Sequence, residues 1–153
     1  MHPDLGPRAI ALAYAKHVAC GLSHLPSAMR ETLSPVVIHH GDETAFAQNT
    51  DHFFVLYPKN IAIRLQQHDL EEAIFHESVH ATLEDRWSRN PAWQFDQAAD
   101  GAFITNYAKA NPNREDLAET TLSSYVLLST PERFSESLVV KIRQLVPNRL
   151  AFF

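Results

Sequence analysis

Two histidines and a glutamate near the middle of the chain have the spacing of a metal site. The residues His76-Glu77-Ser78-Val79-His80 form the pattern HExxH. Side chains four residues apart lie on one face of an α-helix, so His76 and His80 can approach the same ion. Glu77 lies about 100° around the helix from His76, where its carboxylate can act as a general base on a water molecule. The pattern therefore predicts a zinc (Zn2+) site with Glu77 as the base.

The segment around the motif has the signals of a buried helix. Asp69 is a good N-cap, and Glu72 three residues later completes a capping-box pattern. The spacing predicts a helix from Leu70 to Trp87. Its apolar positions are Leu70, Ile74, Phe75, Val79 and Leu83. Because buried histidines need polar partners, this setting favours a metal site over two surface histidines on an ordinary helix.

The other predicted elements place the strands together, between helices. Strands are predicted at Val36–His40, Phe53–Tyr57 and Asn60–Leu65, with a loop from Gly41 to His52. Helices are predicted before them at Pro7–Val18, ending near Gly21, and at Ser27–Leu33, and after them at Arg114–Leu128 and from Thr130 to Val146. Segregated elements are typical of an α+β fold. We expect one domain over residues 1–153, with a short twisted sheet packed on the HExxH helix and flanked by N- and C-terminal helices.

Two histidines need a third ligand to form a zinc site. Arg86 occupies the position of the third histidine of metzincins, which excludes that class. The acidic candidates downstream are Asp96, Asp100, Glu115 and Glu119. Glu115 and Glu119 share a face of the predicted helix, so one could bind the metal and the other could accept a hydrogen bond from a ligand histidine. The alternative is a solvated acidic first turn, which the helix dipole also favours.

Three motifs together resemble the lethal-factor-like zinc peptidases, which include the catalytic domain of anthrax lethal factor and the clostridial Pro-Pro endopeptidases. The motifs are HExxH, Asn106-Tyr107-Ala108, and the segment from Asn111 to Glu119. The resemblance implies a zincin-like fold with Glu115 as the third zinc ligand and Glu119 as a carboxylate beside the ligands. It also implies that Tyr107 directs its phenol at the oxyanion. Without the resemblance, Tyr107 could equally be a core tyrosine.

These features predict a zinc-dependent endopeptidase that acts on a peptide or protein substrate. In zincins the strand before the motif helix receives an extended peptide, and here that strand is predicted at Asn60–Leu65. One alternative is a catalytically inactive zincin-like module that binds metal or regulates a partner. Another is the peptidase domain of an effector or toxin within a larger protein.

Composition excludes several other classes. The 153 residues carry thirteen Lys plus Arg against eighteen Asp plus Glu, a net charge of −5. This balance argues against nucleic-acid binding and against docking on an anionic membrane. The single cysteine, Cys20, permits no internal disulfide. No signal peptide or membrane-spanning segment is visible, so we expect a cytoplasmic protein or one secreted by a non-classical route. The sequence leaves the oligomeric state open.

Overall fold

The computed structural model describes residues 7–153, which form an α+β structure with a small three-stranded sheet. The chain divides into two compact units, Met1–Leu83 and Glu84–Phe153. The expectation of one domain over residues 1–153 stays a prediction. Within the described residues, no helix is both long enough and apolar enough to cross a bilayer.

The N-terminal unit surrounds the motif helix. Its helices are α1 (Arg8–Ser23), α2 (Ser27–Thr32), α3 (Pro58–Gln67) and α4 (Leu70–Thr82), and its strands are β1 (Val36–Ile38), β2 (Phe46–Gln48) and β3 (Phe53–Leu56). The strand order is β1-β3-β2, with β1 parallel and β2 antiparallel to β3. The motif helix α4 contacts α1, β2, β3, α3 and α2. The predicted packing of the sheet on the HExxH helix is therefore present.

The regular elements of the C-terminal unit are all helical, and turns and loops join them. Its helices are α5 (Glu84–Trp87), α6 (Pro91–Asp100), α7 (Asn106–Ala110), α8 (Glu115–Ser129), a 3-10 turn (Pro131–Arg133), α9 (Glu136–Leu145) and α10 (Pro147–Ala151). Leu127, Ile142 and Val146 form a buried apolar cluster among the last helices. Helix α10 contacts α6, α8 and α9, so it helps to hold α8 in place.

One strand prediction was wrong, and one strand was missed. Asn60–Leu65 lies inside helix α3, whose first residue is Pro58. Proline is well suited to the first turn of a helix, and the residues Ile61 and Leu65 are four apart, as on one helix face. The third strand is β2, inside the predicted loop. Its three residues carry too short a pattern to identify, and pairing with β3 defines it as a strand.

The motif helix is shorter than predicted, and its cap is different. Helix α4 ends at Thr82, and Glu84–Trp87 forms a separate short helix. The Asp69 side chain makes no capping hydrogen bond. Its carboxylate instead accepts from Arg64 Nη1 at 2.5 Å. The ion pair with the end of α3 has therefore replaced the predicted capping box.

The C-terminal helix prediction was also wrong in its boundaries. The expected continuous helix from Thr130 is a 3-10 turn followed by α9, whose N-cap is Ser135. The Ser135 hydroxyl accepts from the backbone N–H of Leu138, so this cap starts the helix later than Pro131 would. Pro147 begins helix α10 rather than ending the fold.

Gly21 lies within α1 and does not end it as predicted. A Cβ atom at Gly21 would approach Cδ1 of the fully buried Ile74 to 2.5 Å. We expect Gly21→Val to lower the free energy of unfolding by about 1–3 kcal/mol, because it overpacks the contact between α1 and α4. Cys20→Val, at an exposed position of the same helix, is the control for the helix propensity of valine. Urea unfolding measures both, and equal stabilities of the two variants would contradict the close packing.

Candidate metal centre

The two motif histidines already face one another on α4. Their Nε2 atoms lie 3.1 Å apart, and their rings make an edge-to-face contact with centroids 4.8 Å apart. His80 is only 7% exposed, and His76 is partly buried. Two nitrogens held at about 2.0–2.1 Å from one tetrahedral zinc ion lie roughly 3.3 Å apart. The pair therefore has the separation that two ligands of one ion require.

Buried neighbours hold α4 in place around this pair. Ile74 and Val79 are fully buried, and the Ser78 hydroxyl donates to the carbonyl of Ile74 at 2.7 Å. At the end of the helix, His52 Nδ1 lies 2.8 Å from the carbonyl oxygen of Ala81. His52 has a positive φ of 54° and joins the turn before β3 to α4. No spacing signal in the sequence identifies this contact.

Glu115 is a buried carboxylate at the first position of α8. It is 4% exposed, and its backbone N–H donates to the carbonyl of Asn111 at 2.8 Å. The guanidinium of the exposed Arg114 lies 3.4 Å from Glu115 Oε1. A buried carboxylate is costly without strong partners, although the first turn of a helix favours negative charge. The solvated acidic first turn proposed as an alternative is therefore wrong for Glu115.

The three predicted ligands come together. His76, His80 and Glu115 each offer one ligand atom, and these atoms all lie within 4.8 Å of one another. Two imidazoles and one carboxylate are the donor set of catalytic zinc sites with three protein ligands and one open position. The group could therefore hold a metal ion, and its donor types are those of a zinc site.

Asp100, another candidate ligand, is fully committed to protein contacts. Its side chain is buried, Oδ1 accepts from the backbone and side chain of Asn148, and Oδ2 accepts from Arg149. Burial alone would raise the pKa of Asp100, but the hydrogen bonds from Asn148 and Arg149 outweigh it and lower that pKa. Asp100 therefore has a structural role. Asp96 is partly buried on α6 and is outside the three-ligand group.

The remaining predicted residues lie on helices α4, α7 and α8. Glu77 is partly buried on α4, directly after His76, and Glu119 is partly buried on α8, one turn after Glu115. Tyr107 lies on the short helix α7, which contacts α8, and its side chain is 53% exposed. A side chain with this exposure is not a core residue, so the alternative of a core tyrosine is wrong.

His39 takes part in a local cluster with His40 and Tyr57. Its Nδ1 atom lies 2.8 Å from the carbonyl of His40, and the two rings stack with centroids 4.5 Å apart. The nearby Tyr57 is buried, and burial, followed by the charge of Glu43, raises the pKa of the Tyr57 phenol. Neither His39 nor His40 belongs to the three-ligand group.

Comparison with protein-family models, curated proteins and solved structures found no match to this chain.

Proposed function

We propose that this chain is a zinc-dependent endopeptidase of the zincin type. His76, His80 and Glu115 would hold the zinc ion, and the approach of their three ligand atoms to within 4.8 Å is the observation that supports this proposal. Structural zinc sites are closed by four protein ligands, whereas catalytic sites keep one position open. The group of three among the described residues, with Glu77 beside it in sequence, supports a catalytic site over a structural one.

The proposed reaction is hydrolysis of a peptide bond. A bound zinc ion supplies Lewis acidity, which lowers the pKa of water to about 7 and polarises the scissile carbonyl. Glu77 takes a proton from the attacking water while the water oxygen bonds to the carbonyl carbon. As the C–N bond breaks, Glu77 gives that proton to the leaving amine. The phenol of Tyr107 donates a hydrogen bond to the developing oxyanion. Glu119 orients a ligand histidine.

The substrate we propose is an extended segment of a peptide or protein. The strand expected to receive it, Asn60–Leu65, is a helix, so this part of the prediction has to change. Strand β2 takes its place, since it lies at one edge of the sheet and contacts the motif helix α4. An edge strand can add a further strand through main-chain hydrogen bonds, which requires an unfolded substrate segment and places it beside α4.

The resemblance to lethal-factor-like peptidases agrees with this proposal. Its residues are the HExxH helix, the exposed Tyr107, and Glu115 and Glu119 one turn apart on α8. The inactive metal-binding module and the peptidase domain of a larger effector or toxin stay alternative hypotheses. Catalytic activity separates the first of these from the enzyme.

The test of the metal site is a glutamine substitution at Glu115. We expect about one zinc ion per wild-type chain after dialysis, and well below that in Glu115→Gln, because an amide oxygen is a far weaker ligand than a carboxylate. The control is Glu136→Gln, since Glu136 also begins a helix but is exposed. Metal content is measured by plasma emission spectroscopy.

Two results would contradict the proposed metal site. Wild-type protein without zinc removes the metal site, and full zinc in Glu115→Gln removes Glu115 from the ligand set. Digestion of an unbiased peptide library, followed by mass spectrometry, then tests the enzyme. Zinc binding without cleavage of any peptide would favour the inactive module.

A further inference from the structure

A fully buried arginine lies near the end of the chain. The Arg149 side chain, on α10, is 0% exposed. Its Nε donates to Asp100 Oδ2 at 2.9 Å, and its Nη1 donates to Asp116 Oδ1 at 2.5 Å. Its Nη2 donates to the carbonyl of Ala102. The guanidinium thus joins α10 to the end of α6 and to the first turn of α8.

Asp116 is the residue directly after the proposed ligand Glu115. Its carboxylate is fully buried and also accepts from Gln97 Nε2 at 2.8 Å and from the Thr120 hydroxyl at 3.3 Å. The same Gln97 nitrogen donates to the carbonyl of Pro112 at 2.9 Å. The turn before α8 and the first turn of α8 are therefore held by one hydrogen-bonded network.

The network contains two carboxylates and one guanidinium, so a formal negative charge remains in a buried place. The backbone N–H groups of Asn148 and Arg149 donate to Asp100 at 2.9 and 3.1 Å and balance part of it. Buried ion pairs are often no more stabilising than well-packed apolar residues. A network of this kind is therefore better suited to setting a direction than to adding stability.

We propose that Arg149 is a positioning residue for the metal ligand Glu115, an inference that rests on the proposed zinc site. Arg149 fixes the Asp116 carboxylate, and Asp116 and Glu115 are adjacent in the first turn of α8. The backbone of Glu115 is thereby held in the orientation that directs its carboxylate at the two histidines. Loss of groups that orient a ligand typically weakens metal affinity by about 10–100-fold.

The test compares zinc affinity with stability in folded variants. Arg149→Lys keeps the positive charge but cannot reach Asp100, Asp116 and Ala102 together, because an ammonium lacks the planar fork of a guanidinium. We expect the zinc Kd, measured by chelator competition, to rise about 10–100-fold. Asp116→Asn should shift the zinc Kd in the same direction. It replaces Arg149→Lys as the test variant if Arg149→Lys does not fold. Arg143→Lys, at an exposed position of α9, is the control and should leave the Kd unchanged.

A double-mutant cycle separates positioning from general support of the fold. In the Glu115→Gln background, Arg149→Lys should cause little further loss of zinc affinity, because its effect passes through Glu115. Equal losses in both backgrounds, or an unchanged Kd with a lowered melting temperature, would overturn the proposal. A wild-type protein that binds no zinc would instead refute the metal site itself, which the variants are not needed to show.

Discussion

Replacement of Glu77 by glutamine should lower kcat/KM for peptide hydrolysis by about 10²–10⁴-fold while leaving zinc bound, because it removes only the general base. The amide has nearly the same shape as the carboxylate but cannot take a proton from water. Glu77 lies beside the ligands in sequence and is outside the three-ligand group, so the substitution leaves that group intact. Initial rates on the best library peptide, together with zinc content, measure the two effects.

Glu72→Gln is the matched control, since Glu72 is exposed in the first turn of the same helix. We expect its activity and zinc content to equal those of the wild type. Full activity in Glu77→Gln would refute the proposed mechanism. Loss of zinc in Glu77→Gln would show that Glu77 supports the metal site and would leave the base unidentified.

Replacement of Tyr107 by phenylalanine should lower kcat by about 10²-fold or more with little change in KM, because a hydrogen bond to the oxyanion forms mainly in the transition state. Because Tyr107 is 53% exposed, we expect the substitution to change the stability of the protein little. Steady-state kinetics and a thermal melt, measured on the same preparation, separate catalysis from folding.

Tyr14→Phe, on α1 in the N-terminal unit, controls for the loss of a phenol elsewhere. An unchanged kcat in Tyr107→Phe would remove Tyr107 from the mechanism and leave Glu77 and the metal site to act without it. A rise in KM with kcat unchanged would assign the hydroxyl to substrate binding, since the interaction would then be equal in the ground and transition states.

The spacing of residues in the sequence was sufficient to predict the features that depend on local structure. The pair His76 and His80 needs only a helix to bring both rings to one face, and α4 supplies it from Leu70 to Thr82. Strands β1 and β3 were also predicted, because their runs of β-branched and aromatic residues are bounded by turn residues. The α+β class followed from the segregation of these elements.

Tertiary structure decided the elements whose patterns are ambiguous. The apolar alternation of Asn60–Leu65 fits a strand, but its placement after Pro58 and the burial of Ile61 make it helix α3. Strand β2 has too few residues for a periodic signal and exists through its pairing with β3. The pairing of β2 and the burial of Ile61 depend on partners that a short stretch of sequence does not contain.

The choice of the proposed third ligand also depends on both local spacing and distant contacts. From the sequence, Asp96, Asp100, Glu115 and Glu119 all remained possible before any resemblance was considered. The structure commits Asp100 to Asn148 and Arg149, and it brings Glu115 within 4.8 Å of the histidine ligand atoms. Helical periodicity determines which neighbours share a face, whereas the approach of residues far apart in the chain depends on how the whole chain packs.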